Sequence, residues 1–143
     1  MSDRDAWTEP GVFEVAPGVH RIVCPLPRDG LKAVNVYALT GGGELALIDT
    51  GWRSDAILEA LTDGLATLGA TLSDLTAIVA THSHYDHYGL SAHLRELSGA
   101  PVHLGERERE NLASALVREE FERGGGTGAA SAPVTRRRTG TDT

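Results

Sequence analysis

Thr-His-Ser-His-Tyr-Asp-His-Tyr-Gly, residues 81–89, is the most informative segment of this sequence. Three of the six histidines, His82, His84 and His87, fall within it, together with the carboxylate of Asp86. Neutral imidazole and carboxylate groups are the ligands that zinc, iron and manganese accept in proteins. The segment is therefore a candidate metal site, and the alternative is a solvated polar loop that is rich in histidine by chance.

The chain on either side of this segment predicts a turn that gathers its side chains. A buried strand, Leu75 to Ala80, leads in, and a short helix from about Leu90 to Leu97 follows. A loop between a strand and a helix can turn sharply, so its alternate side chains need not diverge as they would in a strand. We expect the first two histidines to converge on one metal, with the following aspartate and histidine facing a second position. Gly89 would let the chain enter the helix without a side chain in the way.

Farther out, strands and helices alternate along the chain. Strands are predicted at Gly11 to Val15, Val19 to Val23, Ala33 to Leu39, Glu44 to Ile48 and Pro101 to Leu104, and helices from Ser54 or Asp55 to about Leu68 and from Glu106 to Phe121. Gly41-Gly42-Gly43 is interpreted as a hairpin turn. The alternation predicts an α/β layered fold. The charged run from Glu106 to Glu110 is interpreted as a solvated helix face.

Composition divides the chain into three parts: an N-terminal extension (1–10), one domain (11–122) and a disordered Gly/Thr/Arg-rich tail (123–143). The first 122 residues hold nine Lys/Arg against 19 Asp/Glu, a net charge of −10, and the tail carries +3. An acidic body argues against nucleic-acid binding, which requires a basic surface.

Other features bear on the cellular setting. There is no apolar stretch of the roughly 18 residues that a membrane span needs, and the polar first residues lack the apolar core of a secretory signal, which favours the cytoplasm. The single cysteine, Cys24, lies in an apolar run and is expected to be a buried, inert thiol.

His82-x-His84-x-Asp86-His87 resembles the signature of the metallo-β-lactamase fold superfamily. The segments Leu47-Ile48-Asp49-Thr50-Gly51 and Ala77-Ile78-Val79-Ala80-Thr81 are also similar to it, and the resemblance extends from Val12 to about Leu112. It implies the N-terminal half of an αββα sandwich, with two sheets inside and helices outside. The stretch from Pro25 to Tyr37 looks like the opening of the glyoxalase-II-like bacterial branch, which favours thioester or ester-like small-molecule substrates over β-lactams.

The resemblance also implies a role for each matching position. His82 and His84 would belong to a first metal site, and Asp86 and His87 to a second. One or two zinc ions, or iron or manganese, would polarise the substrate and generate hydroxide near neutral pH, and Asp86 would be the catalytic residue that orients it. Asp49 would be a buried acid that accepts hydrogen bonds and so fixes the metal loop. Its alternative is an ordinary turn residue at a strand end.

Four further residues lie close to the segment with open roles. His103 either approaches the site or simply ends a strand, and Trp52 either lines the pocket or packs. Tyr85 and Tyr88 flank the candidate ligands and face either these groups or solvent.

The sequence departs from the family pattern at its C-terminal end. The family's second half supplies another histidine for the first metal, a bridging aspartate and a last histidine, yet no histidine follows His103 here. Each metal would keep only two protein ligands, and one sheet face would be uncovered, which invites self-association. A truncated or frameshifted product, pairing with a second copy, and a separately encoded second half are the three explanations, of which the first is favoured.

Two functions follow from these observations. One is a metal-dependent hydrolase that acts on a thioester, lactone or related substrate. The other is a non-catalytic metal-binding fragment or a dimerising half-domain, which the missing ligands favour for the chain as it stands.

Overall fold

The computed structural model describes residues 3–26 and 31–114, which contain a single six-stranded sheet in the order β1-β2-β3-β4-β5-β6. The strands are β1 (Val12–Ala16), β2 (Val19–Pro25), β3 (Ala33–Gly41), β4 (Glu44–Ile48), β5 (Ala77–Ala80) and β6 (Val102–Leu104). Strands β1 to β4 pair antiparallel, whereas β4, β5 and β6 run parallel. The parallel part places the carboxyl ends of β4 and β5 side by side, and the candidate site lies at these ends.

Helices connect the parallel strands, as parallel pairing requires. Helix α1 (Asp55–Thr67) links β4 to β5, and the short α2 (Tyr85–Tyr88) and α3 (Ser91–Ser98) link β5 to β6. A six-residue 3-10 helix occurs at Asp3–Thr8, and three-residue 3-10 turns occur at Leu72–Asp74 and Glu106–Glu108. The backbone is α-helical at 109–114. None of the helices in the described ranges has the length and apolar character needed to cross a membrane.

Local sequence explains where the elements turn and stop. Gly42 and Gly43 both have positive φ, 58° and 79°, which is the geometry of a tight hairpin turn between β3 and β4. The Ser54 hydroxyl accepts a hydrogen bond from the Ile57 N–H at 3.2 Å and so caps α1. Helix α3 ends at Gly99, whose left-handed φ of 72° suits a residue without a Cβ.

One face of the sheet forms the core together with α1 and α3. In-register pairing puts Ile22 beside Val36 and Leu47 beside Ile78. These side chains are at most 1% exposed and form one cluster with the apolar stripe of α1 (Ile57, Leu61 and Leu65) and with Leu90 and Leu94. Burial of this apolar surface is the main term that favours folding.

The opposite face is lined by the alternate residues of the same strands. Register places one residue of each strand in a row across it, namely Phe13, Arg21, Tyr37, Ile48, Val79 and His103. These side chains are half-buried or exposed. The expected α/β half-sandwich with one less covered face is therefore confirmed over the described residues.

The predicted elements are found with small shifts of their ends, apart from three differences. Strand β5 begins at Ala77 rather than at Leu75, the chain forms a helical turn at Tyr85–Tyr88 where a loop was expected, and the predicted helix from Glu106 begins as a 3-10 turn. Residues 27–30, the end of that helix at Phe121 and the predicted tail (123–143) lie outside the described residues. The division into parts at residues 10 and 122 remains a prediction.

Candidate metal centre

The candidate ligands meet where β5 ends and α2 begins. The carbonyl of His84 accepts hydrogen bonds from the N–H groups of His87 and Tyr88, both at 2.9 Å, and this closes the helical turn of α2. One ligand atom from each of His82, His84 and Asp86 lies within 4.8 Å of the others. Two imidazoles and one carboxylate at this spacing suit a divalent cation such as zinc, with room for a further ligand. His84 is exposed, and the other two are half-buried.

His87 lies beside this group of three. Its Nε2 is 3.4 Å from Oδ2 of Asp86, and its ring centroid is 4.2 Å from that of His82. The sequence assigned Asp86 to the second position only, with two protein ligands for each metal. In the structure a carboxylate oxygen of Asp86 lies within 4.8 Å of ligand atoms of both His82 and His84, and Oδ2 of Asp86 lies 3.4 Å from Nε2 of His87. The carboxylate is therefore near the residues of both predicted sites, and the assignment of each residue to one metal stays a prediction.

Asp49 holds this loop from below, as the resemblance implied. Its buried carboxylate accepts hydrogen bonds from the Thr81 N–H at 2.7 Å, from the Thr81 hydroxyl at 2.9 Å, and from Nδ1 of His87 at 2.8 Å. An ionised carboxylate only accepts, so Nδ1 of His87 carries a proton, and in the neutral ring Nε2 is the nitrogen with the free lone pair.

The same carboxylate reaches His82 through Thr81. Because the Thr81 hydroxyl donates to Asp49, it accepts from Nδ1 of His82, which lies 2.9 Å away. In the neutral ring of His82, Nε2 then also carries no proton. One buried acid thus sets the tautomer of two imidazoles, and in both it leaves a nitrogen lone pair for a cation.

The residues that follow Asp49 pack against α2 and hold it in place. The buried Thr50 accepts a hydrogen bond from Leu90 N–H at 3.2 Å, and its hydroxyl lies 3.1 Å from the carbonyl of His87. A Cβ on Gly89 would lie 2.5 Å from the carbonyl oxygen of Tyr85, so a side chain does not fit there. The Asp-Thr-Gly turn and Gly89 therefore pack the helical turn against the end of β4, and the expected need for a glycine at 89 is confirmed.

A contact from the charged segment was not expected. Oε2 of Glu108 accepts hydrogen bonds from the Ser83 N–H at 3.0 Å and from its hydroxyl at 2.7 Å. The Ser83 hydroxyl first, and then its N–H, hold the pKa of Glu108 below its ordinary value. The interpretation of residues 106–110 as simply a solvated face is therefore wrong at Glu108. Nothing in an alternating Glu/Arg run distinguishes this glutamate, because its partner lies 25 residues away.

The remaining candidates divide between the site and the surface. Trp52 and Tyr85 pack edge to face, with ring centroids 5.0 Å apart, while 37% and 41% of their surfaces stay exposed beside the loop. Trp52 therefore packs against Tyr85, and its ring also remains partly accessible to solvent. His103 is exposed on β6 and is not among the three residues whose ligand atoms converge.

Comparison with known sequences gives one family. A family model described as the metallo-beta-lactamase superfamily matches residues 29–143. The metallo-beta-lactamase domain-containing protein 1 of Rattus norvegicus is 51% identical over 71 residues, which are 48% of this chain and 26% of the rat protein. The probable metallo-hydrolase YqjP of Bacillus subtilis (strain 168) is 44% identical over 57 residues, covering 40% of this chain and 18% of that protein.

Solved structures give the same picture of the fold. The metallo-beta-lactamase family protein TTHA1429 from Thermus thermophilus superposes with a TM-score of 0.61 at 38% identity, over 81% of this chain and 41% of that one. BJP-1, a subclass B3 metallo-beta-lactamase of Bradyrhizobium japonicum, gives 0.58 at 25% identity, over 76% and 38%. The chain spans less than half the length of each of these relatives.

Proposed function

Because this chain belongs to the metallo-β-lactamase superfamily, we propose that residues 82–87 hold one or two divalent cations for the hydrolysis of a small thioester, lactone or related ester-like substrate. The observation that carries the proposal is the convergence of ligand atoms from His82, His84 and Asp86 within 4.8 Å. Nitrogen and oxygen donors of this kind favour zinc, and iron or manganese would also fit. A bound cation supplies Lewis acidity and lowers the pKa of a coordinated water towards neutrality.

Each of the residues at the proposed centre would have a separate role. His82 and His84 present imidazole nitrogens to the first position, and His87 presents its Nε2 to the second. Asp86 lies near both, and it is the residue we assign to catalysis, because a free carboxylate oxygen there can accept a hydrogen bond from the attacking water and orient it. Asp49 would keep the neutral imidazoles of His82 and His87 in the tautomers that leave their Nε2 atoms free.

Recognition of the organic part of the substrate is assigned to the aromatic pair. Trp52 and Tyr85 offer exposed apolar surface beside the loop, and Tyr85 belongs to the same helical turn as Asp86. An exposed aromatic face next to a polar centre suits a substrate with an apolar portion.

The proposal is tested with metal uptake and hydrolysis measured on the same samples. We expect about one or two equivalents of Zn²⁺ or Co²⁺ per chain, measured by competition with a chromophoric chelator, and turnover of a thioester or lactone reporter. His84→Ala and Asp86→Asn should weaken uptake. His103→Ala is the matched control, because this exposed histidine lies outside the converging group. No uptake by the unmodified chain, or an equal loss in the control, would contradict the proposal.

A second candidate function is metal binding without catalysis. The superposition on TTHA1429 covers 41% of that chain, which supports the fold over the matched segment, and the activity of the whole protein stays a proposal. Uptake of metal without turnover of any reporter would favour a non-catalytic metal-binding fragment or half-domain over the hydrolase.

We also propose that the chain self-associates through the half-exposed sheet face that carries Tyr37, Ile48 and Val79. Apolar side chains on this face, among them Phe13 at 37% exposure, lower the free energy of the system when another surface covers them. Sedimentation velocity over a range of concentrations should show a dimer or larger species. Tyr37→Lys should shift the chain to monomer, whereas Ala66→Lys on the exposed side of α1 should not. A monomer at all concentrations would contradict self-association.

A further inference from the structure

The metal loop, residues 81–87, is fixed by two carboxylates that come from different parts of the chain. Asp49, at the end of β4, fixes Thr81 on one side of His82. Glu108, in the 3-10 turn after β6, fixes Ser83 on the other side. Ser83 is buried and lies between the first two candidate ligands, so its backbone conformation decides how the rings of His82 and His84 stand relative to each other.

The contact with Ser83 is stronger than an ordinary surface hydrogen bond. Both donors of Ser83, its N–H and its hydroxyl, reach the same carboxylate oxygen at 3.0 and 2.7 Å. Asn111 points its side-chain amide at that oxygen as well, at 3.5 Å. Hydrogen bonds to an ionised carboxylate are shorter and about twice as strong as neutral ones. Two of them on one residue restrict the rotation of its peptide unit.

The neighbours of Glu108 do not share this geometry. Glu106 and Glu110 are exposed and have no such contact to the loop within the described ranges. Within residues 106–110, the carboxylate of Glu108 therefore faces the loop, whereas those of Glu106 and Glu110 face solvent. This selectivity separates Glu108 from a generally acidic surface.

We infer that Glu108 is a positioning residue of the proposed metal centre, which fixes Ser83 and thereby presets the separation of the His82 and His84 imidazoles. The inference rests on the proposed function, because it requires a cation at these residues. Without the contact, the peptide of Ser83 would sample several conformations, and the cation would have to order it on binding. Glu108 itself does not touch the cation or the substrate.

The distinguishing experiment measures metal affinity and the stability of the metal-free protein on the same variants. Glu108→Ala should weaken the binding of Co²⁺ or Zn²⁺ by roughly 10–100-fold, as the loss of a partner that orients ligands does elsewhere. Glu108→Gln keeps one acceptor oxygen and should fall between this variant and the unmodified chain. Glu110→Gln removes a charge from the same segment without touching the loop, and its affinity should be unchanged.

A double substitution separates positioning from simple tethering. Ser83→Ala loses the hydroxyl donor but keeps the N–H, so its loss of affinity should be smaller than that of Glu108→Ala. Ser83→Ala combined with Glu108→Ala should be no worse than Glu108→Ala alone, because both act through one contact. A purely structural tether would lower the free energy of unfolding of the metal-free protein and leave the metal affinity of the folded fraction unchanged.

The outcomes are distinct. Normal metal uptake by the unmodified chain together with unchanged affinity in Glu108→Ala overturns the inference and leaves the proposed function standing. Absence of uptake by the unmodified chain overturns the proposed function and the inference with it. Unchanged affinity in Glu110→Gln, a partial loss in Glu108→Gln and the largest loss in Glu108→Ala support both.

Discussion

Asp49 has both an uncommon backbone conformation and a buried, hydrogen-bonded carboxylate. It has a left-handed backbone, φ 63°, which among the described residues is shared only with glycines, and its buried carboxylate accepts hydrogen bonds from both Thr81 and His87. Aspartate and asparagine tolerate this conformation better than other side chains. The left-handed backbone of Asp49 directs its carboxylate towards Thr81 and His87. A backbone conformation that costs free energy therefore occurs at the proposed site.

Asp49→Asn tests this role, because asparagine keeps the shape and the backbone preference and removes the charge. Its amide has one acceptor oxygen in place of two, so it cannot accept from both the Thr81 N–H and Nδ1 of His87, and the arrangement that orients the imidazoles of His82 and His87 is weakened. We expect a loss of roughly 10–100-fold in the affinity for Zn²⁺, measured by competition titration. Asp63→Asn, at an exposed position of α1, is the control. Equal affinities for the two variants would contradict the role given to Asp49.

At the scale of elements, the helical turn α2 fits closely against the end of β4. The N–H of Thr50 donates to the carbonyl of His87 at 2.9 Å, and Gly89 approaches the backbone of Tyr85 and Arg53. The turn therefore depends on a backbone-to-backbone approach that any side chain at position 89 would prevent.

Gly89→Ala should lower the free energy of unfolding by about 1–3 kcal/mol, because its Cβ must displace the backbone around it. Gly105→Ala is the matched control, since a Cβ there has nothing within 4 Å and its φ of −57° suits alanine. Urea unfolding of the two variants gives the comparison. Equal free energies of unfolding for the two variants would show that α2 shifts to accommodate a Cβ at position 89 without loss of stability, and would contradict the prediction.

At the scale of the whole molecule, the core lies on one side of the sheet, and Cys24 is part of it. The thiol is fully buried, and burial raises its pKa from 9.0 to about 12. Between these two pKa values, the Cys24 thiol therefore stays protonated in the folded state but is ionised in the unfolded state. The corresponding stabilisation is present below pH 9 and is lost as the pH rises from 9 towards 12.

Two measurements check this prediction. A thiol reagent at pH 8 should label Cys24 roughly 100-fold or more slowly than it labels glutathione, because labelling requires opening of the core. The free energy of unfolding should fall above pH 9 more steeply than in Cys24→Ala, which has no thiol to ionise. Rapid labelling of the folded protein would place Cys24 outside the core.

The sequence alone was sufficient for the features that depend on neighbours along the chain. Apolar stretches predicted the strands, three- and four-residue spacing predicted α1, and a turn, a helix cap and a helix end were marked by Gly41-Gly42-Gly43, by Ser54 or Asp55, and by Gly99. Imidazole and carboxylate groups within six residues pointed to a metal site, since a segment this short cannot spread its side chains far apart. The resemblance of these residues to a known family supplied the type of sandwich.

Tertiary structure decided which side chains from distant segments meet. Asp49 lies 38 residues from His87, and Ser83 lies 25 residues from Glu108. Only the parallel pairing of β4, β5 and β6 brings these segments to one edge of the sheet. Likewise, the distances between the Asp86 carboxylate and the imidazoles of His82 and His84 depend on the helical turn that packs on Thr50 and Gly89, and spacing along the chain did not give them. Local periodicity reports which face of an element is apolar, whereas contacts between elements depend on the register and on the packing of the folded chain.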